Sequence, residues 1–305
     1  MSVSHPAPAR GRELARLREI PGRRWLTIVK RTFVRARAEN EVGDLAAALA
    51  YYAVQSLFPG LLVLVALFGL IGSAATVDRL IDALRDVAPA DALSLIQSTL
   101  DAIVANKGGA AALLGVGLLG ALWSASSGAG SLMRAVNRTY GITETRGFVR
   151  LRLLALLIVF VGLLTALLLV GLLIAGAPIS SAIGDAVGMP TLVSTLWWVA
   201  QWPVLAAAIL LLLGVVYTVG PNLPERERRF RWITPGAIFA LVMWILVSVL
   251  FSLYIRYFGS YNKTYGALGG AITLLVWLYV SAYTLLIGAE LNAEVRGELA
   301  GKRPA

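Results

Sequence analysis

Apolar positions fall into six long runs along this chain, at about residues 45–71, 110–133, 153–177, 193–219, 235–255 and 267–289, each almost free of Asp, Glu, Lys and Arg. A helix of about 20 apolar residues matches the hydrocarbon thickness of a bilayer, and buried helices of soluble proteins are seldom that long without a charge. The pattern predicts an all-α integral membrane protein, a bundle of six transmembrane helices over residues 44–292, with a basic tail at 1–43 and a short tail at 293–305. Two further stretches are amphipathic. Residues 22–38 set Trp25, Ile28, Val29, Thr32 and Phe33 on one helical face, with Arg24, Lys30, Arg31, Arg35 and Arg37 around the rest. Such a helix lies in the headgroup layer, its basic residues drawn to anionic lipids; a solvated basic tail is the plainer reading. Residues 76–106 carry Val77, Leu80, Ile81, Leu84 and Val87, then Leu93, Ile96, Leu100 and Ile103, with Pro89 between. An outer pair of amphipathic helices is predicted there, capping the bundle or lying on the leaflet.

Charge then orients the bundle. Lys plus Arg number ten before the first run, five after the second, four after the fourth and three at the end, against three, none and two in the other connections. Positive charge near span ends stays in the cytoplasm, so 22 against 5 predicts both termini and the two short basic loops inside. The net charge of +10 has the same origin, and the soluble segments are too short for a nucleic-acid-binding domain; no nucleic acid is expected. Forty mostly polar residues precede the first run, unlike a secretory signal. The chain has no Cys, and its one His, His5, lies in the basic tail, so no metal or other cofactor is expected.

Polar residues at membrane depth face other helices or a cavity. In the first run Tyr51, Tyr52, Gln55 and Ser56 lead into Pro59, where a kink or a short unwound stretch is predicted. In the second, Trp123, Ser124, Ser126 and Ser127 open a stretch of small residues. Close helix packing and a substrate path lined by hydroxyls both fit that stretch. Tyr261, Asn262 and Tyr265 precede the last run, which ends at Glu290 and Asn292. Glu290 is expected to pair with Arg134 or Arg138, either as a brace between helix ends or as a titrating group.

Asn137-Arg138-Thr139-Tyr140-Gly141 is echoed by Asn262-Lys263-Thr264-Tyr265-Gly266, and Tyr51-Tyr52-Ala53-Val54-Gln55 by Trp197-Trp198-Val199-Ala200-Gln201. Both echoes map runs one to three onto four to six, which suggests a 3+3 inverted repeat with Gln55 facing Gln201; shared helix-end chemistry gives the same echoes.

Ala47-Ala48-Leu49-Ala50-Tyr51-Tyr52 with Phe58-Pro59, Trp123-Ser124-Ala125-Ser126 through Asn137, Pro221-Asn222, Pro235-Gly236-Ala237, Ser260-Tyr261-Asn262 and Gly288-Ala289-Glu290-Leu291-Asn292 resemble the YihY/BrkB family of bacterial inner-membrane proteins, once labelled ribonuclease BN. The similarity runs from about Asp44 to Glu294 and implies a six-span plasma-membrane protein with both ends in the cytoplasm. It implies no particular activity. Many members carry a basic residue after the Trp-Ser-Ala-Ser stretch, where this chain has Ser127.

A hydrolase needs a nucleophile with its base, or metal-binding carboxylates in mutual reach. Asp78, Asp82, Asp86, Asp91 and Asp101 are instead spread along 76–106, and no enzyme is expected. A transporter or exporter of a lipid or anionic amphiphile fits the polar and Pro-broken runs, with Gln201 and the residues above along its path. A non-transporting scaffold of envelope assembly explains the same runs with the polar residues as packing contacts. Membrane lipids are the partner expected on either reading.

Overall fold

The structure, a computed structural model, describes residues 20–71, 109–224, 233–258 and 267–299. Among them are seven helices and no strand: α1 Gly22–Ala38, α2 Val42–Ile71, α3 Gly109–Thr139, α4 Phe148–Val187, α5 Pro190–Val219, α6 Pro235–Phe258 and α7 Ala267–Leu299. Four of them contain segments long and apolar enough to cross a membrane, Phe148–Leu169, Pro190–Val219, Pro235–Arg256 and Gly269–Leu299. The two earlier apolar runs fall in α2 and α3, of 30 and 31 residues, each about 45 Å long at the helical rise. The outer segment 76–106, with its five Asp residues, and Tyr261, Asn262 and Tyr265 lie outside the described residues.

Local sequence explains where these helices stop. Gly188, at φ 72°, ends α4; its N–H and that of Met189 close onto the carbonyls of Asp185 and Gly184, and Pro190 then opens α5. The two-residue link makes α4 and α5 an antiparallel hairpin, packed closely where Gly176 meets Trp197 and Gly184 meets Pro190. Gly141, at φ 64°, terminates α3 in the same way, with Ile142 N–H returning to the Asn137 carbonyl at 2.9 Å. The helical backbone of α2 runs unbroken past Pro59, so the predicted stretch shows no unwound turn.

Six helices close into a ring in chain order: each of α2 to α6 packs on its successor, and α7 returns to α2. This order does not show the expected inverted repeat. A two-fold axis in the membrane plane reverses the sense of travel round a ring, so it would set α4 beside α7 and α5 beside α2. The packed neighbours are instead α4 with α5 and α7 with α2, and Gln55 and Gln201 sit on helices that are not neighbours in the ring.

Burial is uneven along the ring. Ala46 and Leu49 of α2, Met133 and Val136 of α3, Ala155 and Ile158 of α4, Val215 and Val216 of α5, Ala237 and Ala240 of α6, and Leu286 and Ala289 of α7 form one core. It occupies the end of the ring against which α1 lies. Farther along, no described residue is buried over 190–204 in α5, 242–256 in α6 or 270–283 in α7. A helix packed along its whole length shows a buried stripe every three or four residues, so these stretches meet their neighbours only at scattered points, such as Trp197 on Gly176 and Trp244 on Ser281.

Candidate functional site

The closed end of the ring is braced by polar side chains. Glu290 is fully buried and Glu294 nearly so, one turn apart on α7. Arg35 of α1 reaches both, at 3.6 Å from Glu290 Oε1 and 2.6 Å from Glu294 Oε1, and also meets Glu39 at 2.9 Å. Asn40 donates to Glu290 Oε2 at 2.8 Å, whereas Glu290 Oε1 accepts no hydrogen bond among the described residues. Although burial opposes it, contact with the carboxylates holds the Arg35 guanidinium pKa above its ordinary value.

Glu290 was expected to pair with Arg134 or Arg138. The structure corrects the partner to Arg35: Arg138 bonds Glu41 at 2.7 Å and Arg134 bonds the Ser131 hydroxyl at 2.6 Å. The reason is the first helix, which lies along the end of α7. Ile28 packs with Leu291 and Val295, and Arg24 bonds Glu298 at 2.9 Å with Arg31 3.9 Å from the same carboxylate. Of the four residues assigned to lipid headgroups, Lys30 is exposed; Arg24 and Arg31 are exposed with Glu298 beside them, and Arg35 points inward. A signal for this docking was present in the sequence, since Glu290, Glu294 and Glu298 recur every four residues on α7 opposite the arginines of α1. The same contacts explain why α7 stays helical to Leu299, through residues expected in the tail.

Two asparagines tie the connecting segments to this end. Asn137 accepts from the Asn222 N–H at 2.6 Å and donates to Glu144 at 2.8 Å. Arg146 holds Glu144 and caps α5 by donating to the carbonyls of Val219 at 2.8 Å and Gly220 at 2.7 Å. Burial alone would raise the Glu144 pKa, but Arg146 and Asn137 keep it below the usual range. Asn292 accepts from the Gly236 N–H at 2.8 Å and donates to Thr234, whose hydroxyl caps α6 through the Ala237 N–H at 3.1 Å. Beside them opens a cleft of about 470 Å³ lined by Asn40, Arg134, Asn137, Arg138, Gly141 to Thr143 and Glu144.

The expected path residues lie farther along α2 and α3. Tyr51, Gln55 and Trp123 are exposed, and Tyr52 packs over Gly128. Ser126 is buried and bonds back to its own helix at the carbonyls of Leu122 and Trp123, as Ser127 does to Trp123 at 2.7 Å. Ser124 is half-buried on the same helix. Gln201, on α5, turns to the Trp198 carbonyl at 3.4 Å. The structure therefore brings Tyr52 and the serine stretch together and leaves Gln201 apart.

Arg152 is the residue that sequence reasoning missed. Counted among the connection's charges, it lies in α4, and its guanidinium sits 3.8 Å from the centre of the Trp123 ring. It donates to the Ser127 hydroxyl at 3.0 Å and to the Trp123 carbonyl at 3.1 Å. A basic group thus reaches Ser127 from the neighbouring helix.

The apolar ring and its interlocked end define an all-helical integral membrane protein. The chain belongs to the Virulence factor BrkB family, which matches residues 33–305. It is 34% identical over 247 residues to the ribonuclease-like protein YfkH of Bacillus subtilis, covering 81% of this chain and 87% of that protein. It is 32% identical over 100 residues to the UPF0761 membrane protein IL2447 of Idiomarina loihiensis, about a third of each chain. No solved structure matches it. Among the residues that carried the resemblance, Asn137, Asn222, Gly236, Glu290 and Asn292 help lock the closed end.

Proposed function

We propose that the protein is a plasma-membrane transporter of an amphiphile, six-spanning, with both termini and the closed end of the ring on the cytoplasmic side. One observation carries this reading: the ring is packed and polar-braced at one end, while long stretches of α5, α6 and α7 toward the other hold no buried residue. A bundle meant only to bear load gains from packing throughout its length. A transporter instead needs one end sealed while the other admits substrate. Basic residues around the sealed end supply the cytoplasmic charge excess that sets the orientation. α1, docked along α7, would hold Lys30 and its neighbours near anionic headgroups.

A non-transporting scaffold is the second reading, favoured by the Ser126 and Ser127 hydroxyls, which bond to their own helix as packing contacts do. The name ribonuclease-like belongs to YfkH. Among the described residues no group of three or more His, Asp or Glu could hold a metal ion, so a nuclease reading finds no carboxylate cluster there to support it.

The two readings separate in liposomes holding the purified protein with labelled phospholipids and small anionic amphiphiles. Transport predicts transbilayer movement of at least one probe, reduced at least tenfold by Gln55→Leu, which removes an exposed amide from α2. If folded protein moves none of them, the scaffold stands.

A further inference from the structure

Arg152 lies within the apolar segment Phe148–Leu169, and its guanidinium stands beside the middle of α3. Arg152 is four residues from the start of α4, about 6 Å along its axis at 1.5 Å per residue. An ionised side chain in such surroundings is costly unless a counter-charge or water meets it. Arg24, Arg31, Arg35, Arg138 and Arg146 each lie within 4.0 Å of a carboxylate. Arg152 has none among the described residues; its acceptors are a hydroxyl and a carbonyl, both neutral.

The immediate surroundings suit an amphiphile with a charged head. Two of the five guanidinium N–H groups are occupied by Ser127 and Trp123, which fixes the plane of the fork and leaves donors for an oxyanion. The Trp123 ring lies against one face of the cation, and Phe148 stands 6.4 Å from that ring. Both aromatic side chains are more than half exposed, giving an apolar wall next to the charge. Tyr51 and Gln55 occupy the exposed face of α2, the other neighbour of α3 in the ring.

We propose that Arg152, held by Trp123 and Ser127, is a binding site for a phosphate-class oxyanion, the head of the amphiphile that the ring moves. The proposal rests on the transport reading for its role, while binding itself does not require movement. A lipid phosphate and a free phosphate ion offer the same oxygens to the fork, so the probes must tell them apart.

The test uses the full chain in nonionic detergent micelles, titrated calorimetrically with dihexanoyl phosphatidic acid, dihexanoyl phosphatidylcholine and inorganic phosphate. The anionic lipid should bind at least tenfold more tightly than the zwitterionic one, and Arg152→Gln should abolish that preference. Arg152→Lys, which keeps the charge and loses the fork, should fall between them. Binding of inorganic phosphate that also needs Arg152 would identify a free ion as the source; its absence would identify the lipid head. Equal affinity for the two lipids, or an unchanged preference in Arg152→Gln, overturns the proposal. Should Arg152→Gln fail to fold, Arg152→Lys decides, and an affinity equal to that of the unaltered chain overturns it. Arg152-dependent binding without transbilayer movement would keep this site and remove transport; movement indifferent to Arg152 would do the reverse.

Discussion

Arg35 shows how a single side chain sets the character of the closed end. One guanidinium serves two buried carboxylates, and removing it leaves both Glu290 and Glu294 without their cation. An uncompensated buried charge costs about 3–5 kcal/mol, whereas an exposed pair contributes under about 1 kcal/mol. Arg35→Leu should therefore lower the melting temperature in detergent far more than Arg138→Ala, which breaks an exposed pair with Glu41. Equal effects would mean that the cluster bears no such strain. Glu290 was legible from sequence as an ionisable group closing an apolar run. Its partner was not, because depth along neighbouring spans points to Arg134 and Arg138, while the actual cation arrives from a helix outside the ring. Arg152 was hidden for a related reason. Its position just before an apolar run reads as a boundary charge, and only the contact between α3 and α4 brings it to Trp123.

At the scale of elements, close approach of α6 and α7 depends on two glycines. A Cβ on Gly288 would come within 2.6 Å of the Gly236 carbonyl and 2.7 Å of Ala240 Cβ, distances at which backbone must move. Overpacking of this kind costs about 1–3 kcal/mol. Gly288→Ala should destabilise by that amount in chemical or thermal unfolding, while Gly120→Ala, with nothing within 4 Å of the added carbon, should be neutral or stabilising. The reverse order would place the tight contact elsewhere. Helix positions were largely readable, because a hydrophobic run of membrane length has few other structures open to it. The run at 193–219 lies within α5 Pro190–Val219, and that at 235–255 within α6 Pro235–Phe258. Helix ends were less readable: α3 continues to Thr139 and α7 to Leu299 because Asn137 and the carboxylates of α7 find partners off their own helices. The inverted repeat is not shown by the ring order, which short echoes such as Asn137 and Asn262 do not encode.

At the scale of the whole molecule, the proposed transport needs the packed end of the ring to face the cytoplasm, with few buried residues beyond it. The chain has no native cysteine, so single introduced thiols report position without background. Ser181 is exposed near the α4–α5 turn, and Thr143 is exposed beside the cleft of the sealed end. In intact cells a membrane-impermeant maleimide should label Ser181→Cys directly, and Thr143→Cys only after the membrane is permeabilised. Labelling of Thr143→Cys in intact cells, with Ser181→Cys protected, would contradict the orientation and with it the proposed direction of the seal.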